Sequence, residues 1–214
     1  MSINTEKYKS LITGLNGKAT LVAVSKTKPV EDIQALYDLG QRDFGENYVQ
    51  EMVDKQAVLP KDIRWHFIGH LQSNKVKYIA PFVHLVHGID SLGLLKEINK
   101  QALKNNRVIA CLLQVHIAKE ETKFGLDEHE LSQLHELHEF KNINITGLMG
   151  MASFSDDKEL VRSEFSYLKS LFDANTSYTV LSMGMSGDYK IALEEGSNMV
   201  RIGSLLFGER NYDK

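Results

Sequence analysis

Lys26 is placed where a lysine side chain gains nucleophilic character, directly after a short apolar run. Leu-Val-Ala-Val at 21–24 predicts a buried strand, and Ser25, Lys26 and Thr27 follow at once. An amine at the end of a buried strand is partly desolvated, which favours the neutral form that attacks a carbonyl. The position therefore indicates a Schiff-base lysine. The alternative is a solvated loop residue, the usual state of a lysine that follows a strand.

Two glycine-containing turns near the C-terminus predict an anion site. The segment Leu-Ser-Met-Gly-Met-Ser-Gly-Asp at 181–188 joins a predicted strand to a helix, and Gly203 and Ser204 follow the next strand in the same way. A turn that opens a helix offers unpaired N–H groups and the positive end of the helix dipole. We expect Ser186, Gly203 and Ser204 to hold a phosphate; the alternative for Ser186 alone is helix capping.

Arg201 lies within the last predicted strand and supplies a third group. Strand alternation directs Val200 and Ile202 toward the covering helices and Arg201 inward, where an arginine is costly unless it meets an acceptor. An amine, an anion cradle and an inward arginine together fit pyridoxal 5′-phosphate (PLP), with its aldehyde on Lys26 and its ring nitrogen facing Arg201. A permanent cation at that position disfavours a proton on the ring nitrogen and weakens carbanion chemistry.

Strands and helices alternate along the whole chain, which predicts a parallel sheet covered by helices. The predicted strands are 20–25, 42–45, 64–68, 82–87, 107–117, 143–149, 178–182 and 198–202, and the helices after the fifth and eighth cover 127–139 and 204–210. Eight such units favour an α/β fold of the (β/α)8 TIM-barrel type, as a single domain over residues 1–214. In such barrels ligands bind where the strands end. The residues expected on that face are Lys26, Asn47, Gly69, Gly150, Met183 and Gly203.

Composition excludes several classes of protein. The chain has 214 residues, of which 43% are hydrophobic and 25% charged, as in a globular protein with a sizeable core. Its net charge of −3 gives no basis for binding nucleic acid or an anionic membrane, and no apolar run approaches the ~20 residues that span a bilayer. A single cysteine, Cys111, excludes an internal disulfide; with an N-terminus unlike a signal peptide, it predicts a cytoplasmic protein. Its apolar neighbours predict a buried, unreactive thiol.

The histidines do not predict a metal site. His135 and His138 have helical spacing, but two ligands without a third are weak grounds for a metal, and a solvated helix face is favoured. His66 and His70 flank a strand end and are candidates for lining the ligand pocket, whereas His84, His87 and His116 are expected to be hydrogen-bonded within the barrel. In the charged loop at 119–125, Lys123 is a candidate for reaching the rim of the cofactor site.

Five ordered motifs resemble the pyridoxal phosphate homeostasis protein family. They are AVSKTKP at 23–29, FGENY at 44–48, WHFIGHLQSNK at 65–75, LSMGMSGD at 181–188 and VRIGS at 200–204. The resemblance spans about residues 21–210 and implies one barrel similar to the N-terminal domain of alanine racemase. It implies the same roles for Lys26, Arg201 and the phosphate-binding residues. It further implies that Asn47 lies by the ring substituents and that Met149 packs against the ring face.

Three functions remain open at this point. The first is a non-catalytic protein that stores, shields or delivers PLP, with apo PLP-dependent enzymes as partners. The second is a stand-alone amino-acid racemase, which needs an acid or base on each face of the α-carbon. In the resemblance the second such group comes from a domain that this chain has no residues to build, although Tyr48 lies near the predicted mouth. The third is a Schiff-base aldolase acting on a sugar phosphate. We favour the first, with no catalytic residue, and expect a monomer.

Overall fold

Eight parallel strands close into a barrel in the computed structural model, which describes residues 3–120, 124–135 and 140–208. Neighbouring strands pair in sequence order, and β8 pairs back onto β1. The strands are β1 (Thr20–Val24), β2 (Asp43–Glu46), β3 (Arg64–Phe67), β4 (Leu85–Ile89), β5 (Ile109–Gln114), β6 (Ile143–Met149), β7 (Val180–Ser182) and β8 (Met199–Ile202). The predicted α/β barrel is confirmed.

Helices follow the strands and cover the barrel. They are α1 (Thr5–Leu15), α2 (Val30–Asp38), α3 (Val49–Val58), α4 (Val76–Ile79), α5 (Leu92–Lys104), α6 (Glu128–His135), α7 (Lys158–Asp173), α8 (Tyr189–Glu194) and α9 (Ser204–Phe207). The sequence prediction did not include α1, although Asn4 caps it by accepting from the Lys7 N–H. Its apolar positions Tyr8, Leu11 and Leu15 have helical spacing and are buried.

Two strands are bounded differently from the predictions, because the apolar runs that predicted them continue into buried residues outside the strands. β4 begins at Leu85 rather than at residue 82, since Phe82 and Val83 belong to the turn after α4 and donate their N–H groups to the Ile79 carbonyl. β5 is likewise shorter than the apolar run at 107–117 that predicted it. The ends of the predicted helices 127–139 and 204–210 lie outside the described residues.

The barrel has two apolar layers that differ in size. The larger one lies between the strands and the helices, and the smaller one fills the barrel interior with Val22, Leu85, Leu112, Met149 and Met199. In the register of the sheet Arg201 pairs with Val22, so its side chain shares the interior face. The inward orientation predicted for Arg201 is therefore confirmed.

The single cysteine and the lengths of the apolar helices bear on two predictions made from composition. Cys111 is fully buried, and burial raises the pKa of its thiol to about 12. The expected unreactive cysteine is confirmed in this respect. Within the ranges that the structure describes, no helix has both the length and the apolar character needed to cross a membrane.

Candidate functional site

A cavity of about 370 Å³ opens where the strands end. Its volume falls within the ~300–1,000 Å³ common for small-molecule sites. The lining residues are Val24, Lys26, Lys28, Asn47, Ile68, Met151, Phe154, Met185, Ser186, Gly187, Arg201, Gly203, Ser204 and Gly208. The barrel thus brings six of the seven predicted site residues together, from strands that are far apart in the chain.

The half-buried Lys26 is held by its chain neighbours on both sides. Ser25 donates its hydroxyl to Glu46 Oε1 at 2.6 Å, and its carbonyl accepts from Lys55 Nζ at 2.8 Å. On the other side, the Thr27 N–H donates to Glu51 Oε1 at 2.6 Å. Thr27 has φ +63°, a left-handed conformation that a β-branched residue rarely adopts. These contacts fix the backbone that carries the amine.

The buried ion pair behind Lys26 is electrostatically unusual. Lys55 Nζ lies 2.8 Å from Glu46 Oε1 and 2.7 Å from Glu51 Oε1. Glu46 is fully buried, and its second carboxylate oxygen has no hydrogen-bond partner among the described residues. Burial raises the pKa of Glu46 to about 7, although Lys55 and Ser25 act in the opposite direction. The i, i+4 spacing of Glu51 and Lys55 on α3 indicates their pairing from sequence. The contact of Lys55 with Glu46, which lies in β2, depends on the fold.

Arg201 reaches from β8 to the ends of the two preceding strands, β7 and β6. Its Nη1 donates to the Ser182 carbonyl at 2.9 Å and to the Ser182 hydroxyl at 2.7 Å, and its Nη2 donates to the Gly150 carbonyl at 3.0 Å. These bonds satisfy a guanidinium that is only 4% exposed. Burial lowers its pKa to about 10, so it stays a cation at neutral pH. Three of its five N–H donors are used by described residues, which leaves donors for a group in the cavity.

The two predicted phosphate turns meet each other. Ser186 Oγ, after β7, accepts from the Gly203 N–H, after β8, at 3.3 Å. The Ser186 turn is closed by the Met185 N–H, which donates to Asp188 Oδ1 at 2.6 Å. The first N–H groups of α9, which starts at Ser204, have no acceptor within the helix itself. The cavity wall here consists of hydroxyl and backbone donors, as an anion requires.

Asn47 and Met149 are placed differently. Asn47 follows β2 and borders the cavity, and its buried Oδ1 has no hydrogen-bond partner in the described part of the chain. Met149 lies deeper, within the apolar interior of the barrel, and does not line the cavity. Met151, two residues further on and past the end of β6, lines it instead.

A larger cavity, of about 670 Å³, lies at the opposite end of the barrel. Three of its charged groups are paired: Arg64 donates to both carboxylate oxygens of Asp43 at 2.7 and 2.5 Å, and Arg42 pairs with Asp62 outside the lining. None of the predicted site residues borders it. Because barrel sites lie where strands end, we take the smaller cavity as the functional one.

The other sequence candidates are dispersed. His66 lies inside the barrel, 2.9 Å from Asp43, and does not line the cavity. His70 is exposed, stacks on Phe124 and borders a neighbouring groove with Tyr48. The hydrogen bonding expected for His87 and His116 is confirmed, but His84 is exposed, precedes β4, and has its ring 5.4 Å from the ring of His66. Lys123, His138 and the side chain of His135 lie outside the described residues.

Comparison with known proteins agrees with this geometry. Residues 2–211 match the family model described as alanine racemase, N-terminal domain. The chain belongs to this family. A pyridoxal phosphate homeostasis protein from Aquifex aeolicus is 44% identical over 201 residues, covering 91% of this chain and 88% of the relative. The resemblance that the five motifs predicted is confirmed.

Solved structures of similar proteins share the barrel. PipY of Synechococcus elongatus, solved with PLP bound, superposes with a TM-score of 0.87 at 34% identity, covering 95% of this chain and 99% of PipY. Alanine racemase of Clostridium difficile gives a TM-score of 0.77 at 16% identity, covering 99% of this chain and 59% of the enzyme. At that identity the racemase supports the fold alone.

Proposed function

We propose that this chain binds PLP in the cavity at the strand ends and takes part in PLP homeostasis inside the cell, without catalysis. Lys26 holds the cofactor as a Schiff base, in which amine and aldehyde form a C=N bond and release water. Ser186, Gly203 and Ser204 hold the phosphate, Arg201 faces the ring nitrogen, and Asn47 lies by the ring substituents. The whole of residues 1–214 forms one PLP-binding domain, and the protein is a cytoplasmic monomer.

The observation that supports this proposal is a mainly apolar cavity at the strand ends whose polar lining groups include lysine amines, an amide, a guanidinium and the hydroxyl and N–H groups of two turns. The Ser186–Gly203 contact brings two turns with N–H and hydroxyl donors to one wall, and Lys26 borders the same cavity. The buried Oδ1 of Asn47 has no hydrogen-bond partner among the described residues and is suited to a donor on a ligand. In the related PipY the same kind of barrel was solved with PLP bound. Met151 borders the cavity, whereas Met149 packs in the apolar interior of the barrel, and we assign Met149 a supporting role beneath the site.

The groups around the cavity favour binding of the cofactor over catalysis with it. When bound, PLP supplies a carbonyl carbon for the amine and an electron sink. Arg201, a cation inside the barrel, disfavours a proton on a ring nitrogen beside it and weakens that sink. Among the described residues that line the cavity there is no histidine, tyrosine or carboxylate to act as a second acid or base. Tyr48 borders the neighbouring groove and is 55% exposed.

The test is covalent capture. We expect purified protein incubated with PLP to show a violet-region absorption band that borohydride bleaches, leaving a pyridoxyl group on the peptide that contains Lys26. Lys26→Ala should abolish the adduct. Lys28→Ala is the matched control: Lys28 lines the same cavity but donates to the Phe207 and Gly208 carbonyls, so the adduct should persist.

Three outcomes would contradict parts of the proposal. Protein that takes up no PLP would refute the binding proposal and favour a phosphorylated carbonyl substrate, as in a Schiff-base aldolase. A reduced adduct on Lys28 would refute the anchor alone. Inversion of an amino acid at a catalytic rate that disappears in Lys26→Ala would establish a racemase. Transfer of PLP from the loaded protein to an apo PLP-dependent enzyme, faster than by free diffusion, would distinguish delivery from storage.

A further inference from the structure

A continuous chain of hydrogen-bonded side chains crosses the barrel interior from the cavity to the opposite end. Arg201 Nη1 lies 2.7 Å from Ser182 Oγ, which lies 3.1 Å from His87 Nδ1. His87 Nε2 lies 2.9 Å from His66 Nδ1, and His66 Nε2 lies 2.9 Å from Asp43 Oδ1. All five side chains are at least nine-tenths buried. These five side chains come from five strands, β8, β7, β4, β3 and β2, and the Ser182–His87 contact crosses the barrel interior because β7 and β4 are not neighbours in the sheet.

The hydrogen bonds of this series of side chains all run in one direction, which is set by Asp43 at the end away from the cavity. Burial acts to raise the pKa of Asp43, but hydrogen bonds from Arg64 and His66 hold it well below its usual range. Asp43 is therefore ionised and can only accept hydrogen bonds. His66 therefore donates from Nε2, and with a single ring proton its Nδ1 accepts from His87 Nε2–H. His87 Nδ1 then accepts the Ser182 hydroxyl proton.

The last step fixes the geometry at the cavity. Because the Ser182 proton is committed to His87, the hydroxyl presents a lone pair to Arg201 and accepts from its Nη1. Burial lowers the pKa of His87 well below its ordinary value, so this imidazole stays neutral and keeps one donor and one acceptor nitrogen. Every donor in the chain meets an acceptor, which a buried polar network requires.

We propose that Ser182, His87 and His66 are positioning residues that aim the Arg201 guanidinium at the cavity, with the Asp43 carboxylate as their fixed acceptor. The proposal rests on the PLP-binding function above and extends it to residues that do not touch the cavity. Reversing the chain would place two donors, from His87 and Arg201, on one Ser182 oxygen and leave the hydroxyl proton without this acceptor.

A metal ion is the competing explanation for the far end. One ligand atom each from Asp43, His66 and His84 lies within 4.8 Å of the others. Arg64, however, donates to both oxygens of the same carboxylate, and His66 Nε2 already faces it. A metal on His66 Nε2 would also force Nδ1 to donate, which reverses the chain. The hydrogen-bonded arrangement is therefore favoured, and zinc serves as a probe in the test.

The direct test is the tautomeric state of the histidines in PLP-free protein. With 15N-labelled histidine, NMR should show the ring proton of His66 and of His87 on Nε2, assigned by His66→Gln and His87→Gln. Asp43→Ala, which removes the acceptor of His66 Nε2–H, should change both tautomers, whereas Ser197→Ala, which removes a buried hydroxyl bonded only to backbone carbonyls, should change neither. A His87 protonated on Nδ1, or stoichiometric binding of added Zn²⁺ with loss of the Nε2–H signals, would overturn the proposal.

The second measurement concerns the cofactor. Ser182→Ala should weaken PLP binding by about tenfold or more and shift the absorption band of the bound form, because a hydrogen bond to a charged group is lost. Ser182→Thr should restore both, and Ser197→Ala should leave both unchanged, with melting temperatures measured for each. Wild-type protein that binds no PLP would refute the proposed function, while the tautomer result stands independently. If wild-type protein binds PLP and Ser182→Ala binds it with the same affinity and the same absorption band, the positioning role is refuted.

Discussion

The substitution Glu46→Gln tests the electrostatics behind Lys26 through the pH dependence of stability. Glu46 is fully buried, and its pKa rises from 4.5 to about 7 on folding. Between these two values the folded state binds more protons than the unfolded state, so the stability contributed by Glu46 is present below pH 4.5 and is lost as the pH rises to about 7. Glutamine has nearly the same shape as the protonated acid and does not titrate.

The magnitude follows from the same two values. A tenfold change in proton affinity is worth about 1.4 kcal/mol, so the contribution that is lost is about 3 kcal/mol. We therefore expect the unfolding free energy of Glu46→Gln, relative to wild type, to increase by about 3 kcal/mol between pH 4.5 and pH 7.5. Groups that titrate alike in both proteins cancel in this difference.

Urea unfolding of the PLP-free proteins at several pH values measures the difference. Glu31→Gln, at an exposed position in the first turn of α2, is measured alongside as the control for replacing a surface carboxylate by an amide. A constant difference for Glu46→Gln would show that Glu46 is ionised throughout and that its pairing with Lys55 outweighs burial. A difference that falls as the pH rises would refute the sign of the argument.

Three further predictions concern single positions. Cys111 should resist a thiol reagent at pH 8 in native protein and react at once in denaturant, because it is buried and its pKa is raised to about 12; rapid native labelling would contradict this. Gly184→Ala should cost about 2 kcal/mol or more in urea unfolding and weaken PLP uptake, since φ is +95° and a Cβ would lie 2.6 Å from a neighbouring Cβ of α8. Met149→Ala should lower stability by about 2–5 kcal/mol through a core cavity, whereas Met151→Ala should mainly change the PLP dissociation constant. Equal effects on stability would refute their separate placement.

Much of the fold was predictable because it is encoded locally. Alternation between strand-like and helix-like segments gave the eight units, and the ends of the strands gave the face that carries Lys26, Ser186 and Gly203. The alternation in β8 was enough to direct Arg201 inward. Strand ends were less accurate, as at Leu85, since apolar residues in buried turns have the same composition as residues in strands. The helix α1 was missed although its cap and spacing were present in the sequence.

The sequence by itself determined which polar residues stand at the strand ends, because each of them sits at a fixed offset from its own strand. Tertiary structure alone decided which polar groups stand behind them. Ser182 and His87 are 95 residues apart, and Ser25 and Glu46 are 21 apart. Neither pair leaves a periodic signal, since each contact depends on barrel closure and on the register of different strands. Local pattern fixes where a side chain points, whereas its partner is fixed only once the sheet closes.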